Sequence, residues 1–431
     1  MLALSLGSVI LFGLLTGSLL GVVIAASGLA VLQFEFNGNF SVLGNATWNL
    51  FNSFTFTAVP TFILLGEILG QSGLARRIYG AISPGFERMP GKLLQTNIGA
   101  CTVFSAISGS STATTAVVGS IAYDEMRRRG YDRRAIVGSI AAGGTLGILI
   151  PPSIALIVYG AWQNVSVGAL FIAGILPGLL LAGLFMLYIA ARAALRPGTV
   201  PTAGEVMPWG RALIASAEAW PFVILVFAIL GTIFLGLATP TEAAALGVVT
   251  AILLAALYGE FTPGRLWAAL QATVRTFSAL ALVIVGALVL SQAVALTGLP
   301  QKLVLMVGEA GLPPPVVLTL IYALYLVLGC FFGPVEMLLI TLPFVFPLVT
   351  GLGYDPVWFG IVLVIVIEIG LLTPPLGINL FVAMAVSRNE VSLGEAALAC
   401  LPFWLLMLAA LALITLFPQI ALVLPQAAGF G

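Results

Sequence analysis

Apolar runs of about 20 residues follow one another along the chain, parted by short polar or basic stretches. That is the pattern of helices long enough for a hydrocarbon core of roughly 30 Å. It predicts spans over Ser18–Phe34, Thr47–Gly70, Ser166–Ala191, Trp220–Leu237, Glu242–Tyr258, Thr276–Leu296 and Glu395–Phe417. Met1–Leu15 reaches only about 22 Å at 1.5 Å per residue. It is either a tilted partner of the next run or the first half of one long helix. Lacking a positive n-region and a small-residue cleavage site, it reads as a retained helix rather than a signal peptide. Gly73–Pro90, with Arg76, Arg77 and Arg88, and Gly298–Gly311 read as short amphipathic helices at the interface.

Four segments depart from this pattern. Lys92–Ala122 is apolar at both ends, with Ser108-Gly109-Ser110-Ser111-Thr112-Ala113-Thr114-Thr115 in its middle. It is shorter than the roughly 40 residues that two crossings need. Both flanks are basic (Arg88 and Lys92 before; Arg127-Arg128-Arg129 and Arg133-Arg134 after), so both ends are predicted on the cytoplasmic side of a re-entrant hairpin. Pro313–Gly353, interrupted at Gly329–Pro334 and free of Lys and Arg at its flanks, reads as a second hairpin from the opposite face. Ala135–Gly160 holds Gly147-Ile148-Leu149-Ile150-Pro151-Pro152, and Pro356–Met384 holds Gly370-Leu371-Leu372-Thr373-Pro374-Pro375. Proline removes a backbone donor and clashes with the preceding turn, so both spans should break. Broken helices persist at membrane depth only where protein or a wet cavity satisfies the freed groups.

These features repeat. Gly130-Tyr131-Asp132 returns 223 residues later as Gly353-Tyr354-Asp355, as do the proline pairs, the glycines before them and Pro90 with Pro313. Val165-Ser166-Val167-Gly168 and Leu20-Gly21-Val22-Val23 return at 226 as Val391-Ser392-Leu393-Gly394 and Leu246-Gly247-Val248-Val249. The chain therefore divides into a first repeat over 1–200, a cytoplasmic connection over 201–218 and a second repeat over 219–431. Five spans separate the hairpins, an odd number, so the repeats are inverted. The expected fold is an all-α polytopic membrane protein with two re-entrant hairpins and two broken helices, the plan of secondary transporters with sites near the midplane.

Composition narrows the function. The chain is 61% apolar and 7% charged over 431 residues, against roughly 25% charge in soluble domains. A net charge of zero gives nucleic-acid binding no electrostatic footing. The absence of histidine removes His-ligated metals, His-based triads and histidine proton relays. Cys101, Cys330 and Cys400 have no paired spacing, so no disulfide framework, transition metal or catalytic residue is expected.

What remains is oxygen chemistry. Hydroxyls and carbonyls freed at tips and breaks suit hard cations such as Na⁺, while half-helix N-termini offer partial positive charge to anions. For the cation the candidates are Ser105, Ser108, Ser110, Gly144, Gly147 and Pro151 in the first half. In the second half they are Gly329, Gly333, Thr373, Pro374 and Gly377. For the substrate they are Ser111, Thr112, Thr145, Glu336, Glu368 and Asn379. No Lys or Arg lies deep in a span, so an anion would be held by helix ends, hydroxyls and co-bound cations. Glu336 and Glu368 stand beside the breaks, and intramembrane acids are functional candidates; Glu67 and Glu242 lie nearer span ends and read equally as scaffold hydrogen-bonders. The small-residue tip also reads as helix packing, and the arginines at 127–134 as topology determinants.

Gly109–Thr115, Gly144–Pro152, Thr239-Pro240-Thr241-Glu242-Ala243-Ala244-Ala245 and Gly370–Asn379 together resemble the large membrane subunit of tripartite ATP-independent periplasmic (TRAP) transporters, over essentially the whole chain. The resemblance implies an ion-transporter-type fold in the bacterial inner membrane, working as an elevator on a Na⁺ gradient. It implies two partners, a small four-helix membrane subunit and a periplasmic substrate-binding protein. It also implies organic-acid substrates such as C4-dicarboxylates, sialic acids or sugar acids. A standalone carrier of the divalent-anion type is the nearest rival, and an intramembrane enzyme resting on carboxylates alone the remote one.

Overall fold

A computed structural model of the chain describes residues 19–195, 201, 208–257 and 262–430. The predicted helix Met1–Leu15, the end of the predicted span at Tyr258 and positions 202–207 of the 201–218 connection lie outside these residues. Every regular element among the described residues is helical. Six helices are long and apolar enough to cross a membrane: Val167–Leu195, Ile214–Phe234, Pro240–Leu257, Pro263–Thr297, Pro334–Gly351 and Leu393–Leu416.

Both hairpins form with matching arms. The first joins Leu93–Ser108 to Ser111–Arg128, and the second joins Pro314–Gly329 to Pro334–Gly351; each has 16 residues in one arm and 18 in the other. Sixteen residues rise only about 24 Å, so the leading arms fall short of a full crossing. Both predicted breaks form too. Arg133–Gly144 runs through a short 3₁₀ turn, Thr145–Gly147, into the break and resumes as Ile154–Gln163. Pro356–Leu371 stops and resumes as Ile378–Val386. Both proline pairs at the breaks have cis peptide bonds.

The repeated motif has a local cause. Gly130 and Gly353 turn the chain out of the hairpins at φ +81° and +86°, a left-handed conformation that glycine adopts without penalty. Two residues on, Asp132 and Asp355 cap the broken helices: Asp132 accepts from Ala135 N at 3.1 Å, Asp355 from Val357 N at 2.8 Å and Trp358 N at 2.9 Å. Each cap satisfies amides that have no partner inside the helix.

The halves pack reciprocally. Ile378–Val386 of the second half lies on Ser111–Arg128 of the first, and Ile154–Gln163 of the first lies on Pro334–Gly351 of the second. Around them Leu20–Glu35 packs on Pro263–Thr297, and Ala58–Gln71 on Pro240–Leu257. The first of these pairs touches backbone to backbone. A Cβ at Gly286 would stand 2.2 Å from the Gly21 carbonyl oxygen, and one at Gly21 2.7 Å from the Leu282 carbonyl carbon. Small residues at such a seam give membrane helices their dispersion contact.

Two predicted spans differ in shape. Thr47–Gly70 is not one rod: Ser41–Phe51 and Thr55–Gln71 are bent by 63°, with the Asn52 and Ser53 polar pair at the corner. Its counterpart in the second half is one uninterrupted helix of 35 residues, Pro263–Thr297, taking in Arg265 and Arg275. At about 52 Å it outreaches the hydrocarbon core, so the predicted span Thr276–Leu296 is only its apolar end.

Candidate functional site

The hairpin tips and helix breaks meet in the interior. Ser110 stands at the N-cap of Ser111–Arg128, accepts from Ala113 N at 3.4 Å and lies 3.2 Å from Thr112 Oγ1. Ser108 Oγ pairs with Thr114 Oγ1 at 2.7 Å, closing the tip across its own turn. Ser105 is buried and donates to the Cys101 carbonyl at 2.6 Å. The tip is seated on the first break: a Cβ at Gly147 would lie 2.6 Å from the Ser110 carbonyl oxygen, and one at Gly144 would overlap Thr115 Oγ1. Ile154 N donates to Gly109 O at 3.2 Å, tying the tip to the half-helix beyond the break. Thr145 is buried and donates to Ala142 O at 2.6 Å.

The second pair is built differently. Gly329 of the hairpin touches Gly370 of the broken span, where a Cβ on either would come 2.6 Å from the other's Cα. Gly333 begins the second arm without a side-chain cap, and a Cβ there would lie 2.2 Å from Glu336 Oε2. Gly377 begins the second half-helix, also without a side-chain cap. Thr373 Oγ1 donates to Ile369 O at 2.8 Å and accepts from Trp404 Nε1 at 3.0 Å. The two breaks also differ in exposure. Pro151, Pro152 and Ser153 are buried, whereas Pro374, Pro375 and Leu376 are exposed.

A cavity of about 500 Å³ opens between the tips and the surrounding helices. Gly109, Ser110, Ser111 and Thr112 line one side, with Pro334, Val335 and Glu336 from the other tip. The opposite wall comes from Leu20–Glu35, Ala58–Gln71 and Pro263–Thr297 and is apolar except for Thr276: Leu20, Gly21, Ile63, Leu280, Leu282 and Val283. Among the described residues no Lys or Arg lines it.

Of the six residues expected at the substrate, the structure brings Ser111, Thr112 and Glu336 to this cavity. Glu368, Asn379 and Thr145 lie behind it, each no more than 1% exposed. Glu368 and Asn379 nonetheless join the tip: Ser111 Oγ donates to Glu368 Oε1, and Asn379 Nδ2 donates to Glu368 Oε2 at 3.4 Å. Sequence reasoning missed the apolar wall and Trp404. The repeated Leu-Gly-Val-Val motif holding Gly21 was a signal of close packing there; nothing local marked Trp404.

Glu242 does a capping task. It is exposed, and its Oε2 accepts from Thr239 N at 2.8 Å and Thr239 Oγ1 at 2.7 Å, while its own N donates to Thr239 Oγ1. This reciprocal box explains the Thr-Pro-Thr-Glu motif. Of the arginines at 127–134, Arg128 and Arg129 pair within the first repeat, with Glu125 and Glu87, and the others pair across the repeats. Arg127 and Arg133 share Glu390, Arg134 meets Glu395, and Arg388 meets Asp124. The Arg127 guanidinium holds the Glu390 carboxyl below the usual carboxylate range, with help from Tyr123 and Arg133.

Comparison with known proteins agrees with this architecture. The family described as "Tripartite ATP-independent periplasmic transporter, DctM component" matches residues 6–420. The C4-dicarboxylate TRAP transporter large permease protein DctM of Pseudomonas aeruginosa is 37% identical over 383 residues, covering 88% of each chain. The sialic acid TRAP transporter large permease protein SiaM of Vibrio cholerae is 34% identical, covering 87% of each. Both are named as permeases, not enzymes. In fold, the chain is similar to the Alcanivorax borkumensis YdaH transporter, with a TM-score of 0.67 and 16% identity over 93% of this chain and 90% of that one. Since the match takes in residues 6–420 of 431, the chain belongs to the DctM component family of tripartite ATP-independent periplasmic transporters.

Proposed function

We propose that this large permease, a multi-pass protein of the bacterial inner membrane, imports a carboxylate-bearing organic acid on a Na⁺ gradient. The hairpins and broken spans move as one body against the surrounding helices. The substrate arrives from a periplasmic binding protein, and a small four-helix membrane subunit completes the permease. The relatives' names point to different acids, a C4-dicarboxylate in one and sialic acid in the other, so substrate choice is assigned to the binding protein.

One observation carries the reading. The cavity between the tips has hydroxyls, the N-termini of two hairpin arms and the Glu336 carboxylate, but no Lys or Arg among the described residues. An anion entering such a site needs positive charge from elsewhere, and helix ends supply only about half a charge each. Co-bound Na⁺ supplies the rest, which makes substrate binding depend on the ion. The apolar wall opposite fits movement: a surface of Leu, Ile and Val sides has no directional bonds to break as the tips slide past it.

The test is thermal stability of the purified permease as Na⁺ replaces choline, followed by uptake into vesicles with the binding protein added. Stabilisation by Na⁺ and Na⁺-dependent uptake are expected. Indifference to Na⁺ in both overturns the coupling; uptake without binding protein and small subunit overturns the partnership.

A further inference from the structure

Val167–Leu195 and Leu393–Leu416 part around a cleft of about 740 Å³ that shares no lining residue with the cavity between the tips. The two helices meet on one side of it, where the Phe403 ring stands edge-on to Phe185 at 5.2 Å and to Tyr188 at 5.1 Å between centroids. Past that aromatic seam the lining residues are Ala191 and Ala399, too small to fill the gap, with Leu195 and Leu398 exposed at the rim. A 29-residue helix rises about 44 Å against a core of roughly 30 Å, so Arg192, in its last turn, stands at headgroup level. The basic residues at this end place it on the cytoplasmic side.

Four charged side chains line the cleft: Asp132, Arg134, Arg192 and Glu395. Two of them are engaged with each other. Arg134 Nη2 donates to Glu395 Oε1, and Glu395 Oε2 caps its own helix through Ser392. The other two are unmatched. Arg192 is half-buried and donates to Tyr188 Oη at 3.3 Å, and among the described residues no carboxylate pairs with it. Asp132 Oδ2 accepts from Ala135 N at 3.1 Å, and among the described residues no Lys or Arg pairs with it. A cation and an anion thus share one cleft without meeting. The four charges sum to zero, so the cleft complements a molecule that carries both signs.

We propose that this cleft holds the headgroup of a zwitterionic phospholipid of the cytoplasmic leaflet, with Arg192 taking the phosphate and Asp132 a primary ammonium. The guanidinium presents a planar fork of N–H donors that matches phosphate oxygens. A primary ammonium brings three N–H donors to the carboxylate, whereas a trimethylammonium brings none. An anionic headgroup would satisfy Arg192 but set like charge beside Asp132. The acyl chains have a track to follow: Leu398, Leu401 and Leu405 form an exposed stripe at helical spacing that runs from the cleft toward the membrane centre. Seated there, the lipid fills the gap left by the two alanines and braces Leu393–Leu416 against Val167–Leu195.

The experiment is native mass spectrometry of the full-length permease, with any co-purifying subunit retained, delipidated and then titrated with dioleoyl phosphatidylethanolamine, phosphatidylcholine or phosphatidylglycerol. Wild type should retain the ethanolamine lipid above the other two. Arg192→Gln should weaken that retention about tenfold, the ratio for one charge-assisted hydrogen bond. Asp132→Asn keeps the helix cap, since Asn caps as well as Asp. It should bring the ethanolamine lipid down to the level of the choline lipid, a fall of about 2–5-fold, as the loss of an exposed ion pair gives. If Arg192→Gln does not fold, Asp132→Asn carries the test. Equal retention of the three lipids, or a preference that survives in Asp132→Asn and in any folded Arg192→Gln, overturns the site. A preference for phosphatidylglycerol that Arg192→Gln abolishes assigns the cleft to an anion and overturns the zwitterion. Displacement of the lipid by glycerophosphoethanolamine at matched concentration assigns the cleft to a soluble molecule and overturns the lipid.

Discussion

Ser111 Oγ donates a hydrogen bond to Glu368 Oε1, and 257 positions of chain separate the two residues. The bond ties the first hairpin tip to the second broken span, so it joins the repeats rather than holding either together. Ser111→Ala should cost about 1–3 kcal/mol of stability, the penalty for a buried charged group losing a donor. Thermal or denaturant unfolding checks the stability, and uptake normalised to folded protein should fall further than stability alone explains. An unfolding midpoint equal to wild type would mean that the bond is not made.

The first break and first tip are in backbone contact, and Gly147 permits it. An alanine Cβ there would stand 2.6 Å from the Ser110 carbonyl oxygen and 2.7 Å from Ser111 Cα. Neither atom can swing aside as a side chain would. Gly147→Ala should destabilise by about 1–3 kcal/mol, as overpacking does, and depress uptake by pushing the tip off its seat. Gly183→Ala, whose added Cβ meets nothing within 4 Å, serves as the control and should leave both measurements at wild-type values.

Trp404 Nε1 reaches Thr373 Oγ1 at 3.0 Å, from the closing span Leu393–Leu416 to the second break. With the hydroxyl donating to Ile369 O, the indole fixes which way its lone pairs point. Trp404→Phe keeps an aromatic side chain, though a smaller one, and removes the donor, so a loss of at least about 0.5–1.5 kcal/mol is expected. If Thr373 serves the ion, the half-saturating Na⁺ concentration should rise by a factor of about 2–10, the same energy as a ratio. A changed Na⁺ response without a changed unfolding midpoint would separate the two roles.

Glu390 gathers Arg127 and Arg133 on one face, and its carboxyl titrates below its ordinary value because of them. A lowered folded-state value means stability that is complete above the unfolded carboxylate range near pH 4.3 and is lost as pH falls through the folded value. Acidification should therefore lower the unfolding temperature of wild type more than that of Glu390→Gln, with the curves parallel above about pH 5. These side chains are about one-third to one-half exposed, so high salt should narrow the difference.

The breaks and hairpins were legible because their causes are local. A proline pair removes donors wherever it sits, the roughly 30 residues of Lys92–Ala122 cannot cross twice, and Gly130 with Asp132 turns and caps without help from the rest of the fold. The repeat was read from the same signals, which recur at offsets of 223 to 226 residues. Candidate oxygens at the tips could be named, and Ser111, Thr112 and Glu336 do line one cavity. Glu368 and Asn379 were named as well, but a role at the substrate does not follow from their placement behind the tip.

Sequence by itself determined the membrane class, the helix breaks, the paired hairpins and the inventory of hard oxygen donors in an interior without histidine. Tertiary structure decided which donors meet. It buried the first break and exposed Pro374 and Pro375 in the second, although both read alike. It broke one scaffold span with a bend of 63° and left its counterpart uninterrupted. It set Ser111 against Glu368, a contact that no periodicity within a helix encodes. Spacing along one helix fixes which face a residue shares, but only the packing of separate helices fixes what lies opposite.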